Sequence, residues 1–340
     1  MSTPRILILR TSAFGDIVHA LPVLTALRRH LPSATIGWVI EEAFAPLLRG
    51  HADIDELLPV RLRIWRRQPW SPRMWRETAR FVSRLHEFSA EIVLDLMGNH
   101  KAGILAALSL SDRRIGLAAP FRREPSSALW MSQTVEARGE HAVDRMLSVL
   151  DALDLPAEPA DFSPQHLPEA SEDLPRLEAP FILLHPGTGW PNKDYPSQAW
   201  GRVVASIVKR VDATVWIAPG PGEHDLAERV RLAAQGRARI LPPPSLPGLV
   251  YLQRRAALVL GGDTGPVHLA HALGTPALCV MGPTDPKRHG PYHSLDQAIW
   301  HSLPCSFCHQ KFDGPKACLH EIDPEVISEQ AVEKLSGGLH

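Results

Sequence analysis

The chain has little cysteine, no long apolar run and almost no net charge, and each of these absences removes a class of protein. Four Cys among 340 residues cannot staple a fold of this size, and in a reducing compartment they stay thiols unless a metal claims them. No stretch approaches the roughly 18 uninterrupted apolar residues of a membrane span. Met1 to Arg10 reads as a strand rather than a signal peptide, so a cytoplasmic location is expected. A net charge of -1 gives no overall attraction for nucleic acid. Internal repeats and low-complexity blocks are missing too. Hydrophobic residues at 44% and charged residues at 21% fall in the ordinary globular range, which excludes a disordered or fibrous chain. A dinucleotide fingerprint is also lacking: neither Gly187-Thr-Gly189 nor Gly220-Pro-Gly222 continues to G-x-G-x-x-G, which argues against a nicotinamide dehydrogenase.

What is present is an alternation of apolar, β-rich runs with helical patterns. Ile6–Leu9, Thr35–Ile40 and Ile92–Leu96 form one set; Phe181–His185, Thr214–Ala218, Leu258–Gly261 and Ala277–Met281 form another. Strands apolar on both faces imply parallel sheets covered by helices, hence an α/β protein with two doubly wound, Rossmann-like domains. The stretch between the sets is rich in Pro, Glu, Asp and Ser and lacks periodicity. The expected organisation is therefore a domain over 1–155, a linker over 156–180, a second domain over 181–325, and a C-terminal helix, 326–340, that can pack back on the N-terminal domain. Such folds bind ligands at the carboxyl ends of their strands, so the two sheets are expected to face an interdomain cleft.

The charge is unevenly placed. Residues 1–150 carry 20 Lys and Arg against 15 Asp and Glu, a net of +5; the totals of 36 and 37 leave 16 against 22, or -6, beyond 150. The basic half should meet an anionic partner. Within it, Arg61, Arg63, Arg66, Arg67, Arg73, Arg76, Arg80 and Arg84 share a segment with one acid, Glu77, and with Trp65, Trp70 and Trp75. Guanidinium groups grip carboxylate or phosphate and indoles favour a membrane interface, so the segment suits an amphiphile with anionic head groups. The alternative is a solvated helix face with its Trp in the core.

Three strand-to-helix junctions carry candidate chemistry. After the first strand, Gly15 permits a tight turn and Asp16 stands at the start of a helix, either as a reactive carboxylate or as an N-terminal cap that stabilises any helix. The run Leu258-Val-Leu-Gly-Gly-Asp-Thr-Gly-Pro-Val-His268 turns a strand into a helix through Asp263, Thr264 and Gly265, making an anion site suited to a diphosphate. His268 could donate to the same phosphates or be a satisfied half-buried histidine. The loop His185-Pro-Gly-Thr-Gly-Trp-Pro-Asn-Lys193 can cradle and neutralise a leaving diphosphate through Thr188, Gly189 and Lys193. Glu223 follows another strand and suits ribose hydroxyls. Asp53-Ile54-Asp55 has the D-x-D form of metal-dependent glycosyltransferases, but it does not end a clear strand and is set aside. Cys305, Cys308 and Cys318, with His309 or His320, offer either a Cys3His metal set or ordinary loop thiols; Cys279 reads as core.

Together, the segments T-S-A-F-G-D-I-V-H-A-L-P (11–22), W-V-I-E-E-A-F-A (38–45), R-I-W-R-R (63–67), R-E-P (123–125), the 185–193 loop, D-T-G-P-V-H (263–268) and G-P-T-D-P (282–286) resemble the ADP-heptose:lipopolysaccharide heptosyltransferases, glycosyltransferase family 9. The likeness is greatest to the heptosyltransferase I branch, which adds the first heptose to the Kdo sugars of lipid A; the Cys-bearing tail resembles other members of the wider family. The resemblance implies a GT-B fold with the acceptor on the N-terminal domain and the ADP-sugar on the C-terminal one. It places the catalytic Asp at Asp16 and the catalytic loop Lys at Lys193. Donor binding falls to Thr188, Gly189, Lys193, Glu223, Asp263, Thr264, Gly265 and His268, and acceptor binding to Arg63, Arg66, Lys101 and Arg123.

It further implies an inverting transfer from ADP-heptose to Kdo-lipid A that requires no cofactor or metal, at the cytoplasmic face of the inner membrane and without nucleic acid. Three other readings stay open: transfer to a later core acceptor, another GT-B sugar-nucleotide enzyme such as a UDP-sugar epimerase, and a non-catalytic carbohydrate-binding scaffold.

Overall fold

The computed structural model of the chain describes residues 3–67, 70–171, 174–190, 193–308 and 316–337. Its contacts divide it into two compact units, Met1–Pro168 and Glu169–His340.

In the first unit the strands are β1 (Arg5–Leu9), β2 (Thr35–Glu41), β3 (Glu56–Val60), β4 (Ile92–Asp95), β5 (Arg113–Leu117) and β6 (Gln133–Val135). All pair in parallel, in the order β3-β2-β1-β4-β5-β6. Helices α1 (Phe14–His30), α2 (Leu62–Arg67), α3 (Pro72–Phe88), α4 (His100–Leu108) and α5 (Ala142–Leu147) complete it. Ile6, Leu7, Ile8 and Leu9 are fully buried, as both faces of a covered parallel strand must be. Pro72 opens α3, where its missing N–H costs nothing. Phe81, Leu85 and Phe88, spaced four and three apart, form its buried stripe and join a core with Leu7, Leu9 and Val39.

The second unit repeats the plan. Strands β7 (Phe181–His185), β8 (Thr214–Ile217), β9 (Ala238–Ile240), β10 (Leu258–Gly262), β11 (Ala277–Met281) and β12 (Ala298–Trp300) form a parallel sheet in the order β12-β11-β10-β7-β8-β9. Its helices are α6 (Ser197–Arg210), α7 (His224–Ala233), α8 (Leu246–Arg255), α9 (Gly265–Ala272), α10 (Pro286–His289), α11 (Ala317–His320) and α12 (Pro324–Gly337). The register sets Gly261 of β10 level with His185 of β7. The loops leaving these two strands therefore start side by side.

The expected linker is narrowed. The stretch 156–180 is not a free linker, because its first part is fastened to the first unit. Arg29 pairs with Glu158 at 2.7 Å and Asp161 at 2.6 Å, and His166 meets Asp53 at 3.0 Å. Glu169 opens the second unit by receiving Arg254 and Arg255. The C-terminal helix is present, as α12. Ile327, Ala331 and Leu335 of α12 are buried in the second unit's own core with Trp200 and Val204 of α6. Its start is held by an Arg210–Glu325 ion pair and by the Tyr195 hydroxyl, which donates to Ile322 O at 2.7 Å. Among the described residues no helix is long and apolar enough to cross a membrane.

Candidate functional site

In the first unit the turn from β1 to α1 presents Asp16 in the third helical position. Its carboxylate accepts the Ala13 backbone N–H at 3.1 Å, so the capping role open from the sequence is realised. It does more than cap: Oδ2 lies 2.7 Å from Arg10 Nη2, and the Arg10 guanidinium is itself held by donating to Leu96 O at the end of β4. The Asp16 side chain keeps 38% of its surface exposed against 10% for Arg10. A buried cation thus orients a carboxylate whose outer face can reach a ligand. Arg10 had no assigned role, and nothing local marks it as the partner of a residue one turn into the next helix.

A basic rim adjoins this turn. Phe14 at the start of α1 stacks on Phe44 with centroids 6.2 Å apart, and the Arg63 guanidinium lies 5.5 Å over the same Phe44 ring. Arg63 N–H also donates to Glu41 Oε1 at 3.1 Å. Burial pushes the Glu41 carboxyl up, and the Arg63 and Lys101 charges pull against that shift. Arg63 is therefore brought to the Asp16 turn through Phe44, with Glu41 beneath its backbone N–H, a carboxyl that sequence reasoning left without a role; Lys101 acts on the same carboxyl through its charge. Arg66 is exposed one turn further along α2, and Arg123 is exposed beside Gly98. Its neighbour Arg122 is structural, pairing with Asp95 where both side chains are fully buried.

The Arg/Trp segment divides between its two readings. Trp65 is a core-side residue, edge-on to Phe81 and donating to Glu77 at 3.2 Å, while Glu77 also takes Arg61 and Arg73. Trp70 and Trp75, by contrast, are 88% and 60% exposed, and Arg63, Arg66, Arg67 and Arg76 of the same segment are uncovered as well.

In the second unit the turn from β10 to α9 centres on Asp263. One carboxylate oxygen lies 2.5 Å from Lys193 Nζ and accepts the Thr284 hydroxyl at 2.7 Å; the other meets His268 Nε2 at 3.1 Å. Burial alone would push this carboxyl up, but the His268 hydrogen bond and the Lys193 ammonium outweigh it and hold Asp263 well below the usual carboxylate range. Asp263 is thus a permanent anion that aims Lys193, an ammonium with further N–H donors to spare, toward the N-terminus of α9. There Thr264 caps the helix and Gly265 opens it; Pro266 has no N–H and the Val267 and His268 N–H groups donate to Thr264 O at 3.1 and 3.3 Å, so the positive end of α9 is offered to an anion through the Gly265 N–H. Beneath this turn Gln253 donates to Pro266 O at 2.8 Å and approaches His185 Nε2 at 3.4 Å, while His185 Nδ1 faces Ala218 O at 3.0 Å. One buried amide therefore ties the two junctions together.

The 187–190 loop folds over Asp194, which accepts the Thr188 N–H at 2.9 Å and its hydroxyl at 2.8 Å; Gly189 is exposed at the tip. A side chain at Gly262 would meet Thr188 Cγ2 at 2.6 Å, so that glycine lets the loop settle on the end of β10. A Cβ at Gly187 would fall 2.2 Å from the Glu223 carboxyl carbon. Glu223, the N-terminal cap residue of α7, is thereby set against the same loop, its Oε2 accepting the Gly220 N–H at 2.8 Å. Thr188, Gly189, Lys193, Glu223, Asp263, Thr264, Gly265 and His268 consequently share one end of the second sheet. Asp194, Thr284 and Gln253 complete that end and lacked any signal beyond the quoted motifs.

The remaining motifs resolve as structural. Asp55 of the D-x-D accepts from Arg28 and Ile36 N–H, both at 2.7 Å. Of the cysteine set, Cys305 is exposed, Cys308 half-buried and Cys318 buried, and His309 lies outside the described residues. Among the described residues Cys305, Cys308, Cys318 and His320 do not gather into a metal-ligand group.

Comparison with known proteins gives the site its context. The family model described as glycosyltransferase family 9 (heptosyltransferase) matches residues 78–317. The chain is 31% identical over 314 residues to lipopolysaccharide heptosyltransferase 1 of Pseudomonas aeruginosa, covering 90% of this chain and 86% of that protein. It is 29% identical over 295 residues to lipopolysaccharide heptosyltransferase 1 of Escherichia coli K12, covering 85% and 91%. The solved structure of E. coli heptosyltransferase WaaC with ADP matches with a TM-score of 0.81 at 26% identity, over 97% of this chain and 99% of that one. The fold is accordingly GT-B. With a family model matched over residues 78–317 and a relative 31% identical over 90% of this chain, the chain belongs to glycosyltransferase family 9, the heptosyltransferases.

Proposed function

We propose that the protein transfers L-glycero-D-manno-heptose from ADP-heptose to a Kdo residue of Kdo2-lipid A, with inversion at the anomeric carbon. The observation that carries this reading is the Asp263-anchored Lys193 at the N-terminus of α9, a diphosphate site in a chain of this family. Its relatives include E. coli WaaC solved with ADP and with ADP-2-deoxy-2-fluoro heptose. Asp16 removes the proton from the acceptor hydroxyl as that oxygen attacks the donor's anomeric carbon, and Arg10 keeps the carboxylate oriented. The bond to the ADP oxygen breaks on the opposite face. Charge growing on the leaving diphosphate is met by Lys193, by the Thr188–Gly189 loop and by the Gly265 N–H at the start of α9. Glu223 takes the ribose hydroxyls. These groups supply the electrostatic stabilisation themselves, so no step calls on a metal or cofactor.

The acceptor is anionic, which suits Arg63, Arg66, Lys101 and Arg123. The exposed Trp70 and Trp75 of the same Arg-rich stretch of sequence suit a peripheral position at the cytoplasmic face of the inner membrane, where the lipid A portion resides. ADP release from ADP-heptose, measured with and without Kdo2-lipid A, tests the reading. Release is expected only with the acceptor, and Asp16→Asn should lower kcat by about a hundredfold while donor affinity holds. Acceptor-independent release, or normal turnover in Asp16→Asn, would refute it.

A further inference from the structure

We propose that His51, Asp53 and His166 form a binding site for one divalent transition-metal ion of the Zn2+ type, which fastens the last segment of the first unit to the β2–β3 connection. One ligand atom from each of the three residues lies within 4.8 Å of the others. Two of them are already closer: His166 Nδ1 and Asp53 Oδ2 are 3.0 Å apart, near the roughly 3.3 Å edge of a tetrahedron built on metal–ligand bonds of about 2.0–2.1 Å. The two imidazole rings stand at 90° with centroids 5.4 Å apart, so they flank the carboxylate rather than stack.

A second observation points to a missing ligand. His51 is 3% exposed, yet its buried Nε2 has no hydrogen-bond partner, while Nδ1 has the Asp53 N–H at 3.3 Å. Burying a ring nitrogen unpaired is unfavourable, and coordination through Nε2 removes that cost. The tautomer then carries its hydrogen on Nδ1, and the long Asp53 contact opens. Asp53 is nearly buried, whereas the His166 side chain is 30% exposed, which leaves an entry path and room for a water as fourth ligand. Two imidazoles and one carboxylate favour Zn2+-type ions over Mg2+ or Ca2+, which prefer oxygen ligands.

The topology gives the ion a task. Asp53 and His166 are 113 residues apart, and the segment holding His166 is tied down both by the buried Leu167 and by the surface pairs of Arg29 with Glu158 and Asp161, which salt weakens. A metal closing so long a loop would hold the end of the first unit in place independently of ionic strength. None of the groups assigned to the transfer reaction is a ligand, so the site is separate from the chemistry.

The test uses the full chain carrying Cys305→Ser and Cys308→Ser, to silence competing thiols, after treatment with a chelator. Calorimetric titration with Zn2+ should show one equivalent bound with a Kd of about 1 μM or tighter, Mg2+ should show none, and Co2+ should give visible bands of nitrogen and oxygen ligands. His166→Gln, at a half-exposed position, and Asp53→Asn should each weaken Zn2+ binding at least tenfold, with the far-ultraviolet circular dichroism of the wild type confirming the fold. Zn2+ should raise the unfolding midpoint of the parent at high salt but not that of His166→Gln. Absence of Zn2+ binding in the parent, equal Zn2+ affinity in a folded His166→Gln, or a Mg2+ affinity matching that for Zn2+ would overturn the proposal. If Asp53→Asn does not fold, His166→Gln alone decides.

Discussion

Replacing Asp263 by Asn should damage stability through the carboxylate that anchors Lys193. The carboxylate holds Lys193 at 2.5 Å, Thr284 at 2.7 Å and His268 at 3.1 Å, with the Asp263 and Lys193 side chains only 10% and 15% exposed. Asparagine keeps one acceptor but turns an NH2 donor toward Lys193 or His268, leaving a nearly buried ammonium without its counter-charge. Breaking such a pair from one side costs about 3–5 kcal/mol, since hydrogen bonds to charged groups contribute roughly 1.5–3 kcal/mol each. The sign with pH follows from the depressed carboxyl pKa. The stabilisation is fully present above the unfolded value near 3.9 and is lost only as pH falls through the lower folded value. The gap between wild type and variant in urea unfolding should therefore be constant from about pH 5 to 8 and close only in stronger acid. Adding Lys193→Met to Asp263→Asn removes the orphaned ammonium, so the double variant should lose less than the sum of the singles by about 1.5 kcal/mol or more. Additive losses, or a loss under about 1 kcal/mol for Asp263→Asn alone, would show that Asp263 does not anchor Lys193.

Gly187→Ala would drive the Glu223 carboxylate off the 187–190 loop. Calorimetry should record ADP affinity falling roughly tenfold with little change in unfolding midpoint, and almost no further loss when the substitution is made in a Glu223→Ala background. Burial lowers the His185 pKa from 6.5 to about 4, so its contribution to stability is intact above pH 6.5 and is lost as pH falls toward 4, a span of about 3 kcal/mol. His185→Asn should flatten the pH dependence of urea unfolding in that window by about one proton, and an unchanged slope would refute the assignment. Replacing Arg63 and Arg66 together by Ala should raise the apparent KM for a Kdo-containing lipid A acceptor and leave the donor KM alone. Raising salt should weaken wild-type acceptor use more than that of the double variant, because exposed charges are screened over about 8 Å at physiological ionic strength; equal salt sensitivity would exclude the patch as the acceptor's guide.

The parts of this molecule that could be read from the sequence are those whose signal is local. Every strand recognised beforehand, β1, β2, β4, β7, β8, β10 and β11, lies inside a sheet, where helices cover both faces and the run must be apolar throughout. The strands that escaped notice lie toward the sheet margins. β3 carries Pro59, β5 begins with two arginines, and β6, β9 and β12 have three residues each, too short for a period to show. The same distinction governs the site. The Asp263–His268 turn was legible because a glycine-rich strand end, a proline at the helix start and a histidine one turn on are neighbours in sequence. What gives that turn its chemistry is not local: Lys193 and Thr284 reach Asp263 from 70 and 21 residues away, a meeting set by the pairing of β7 and β11 on either side of β10.

In the first unit Arg10 and Asp16 are close in sequence, yet their pairing depends on Leu96 O at the end of β4 fixing the guanidinium. The Arg/Trp segment failed to resolve for a related reason, since Trp65, Trp70 and Trp75 share a composition and differ only in what stands opposite. Trp65 finds Phe81 and Glu77, while the other two remain largely exposed. Motif residues announce which strand ends can bind a charged ligand; the register of the parallel sheet decides which charges meet there, and that register is carried by apolar side chains that have no part in the chemistry.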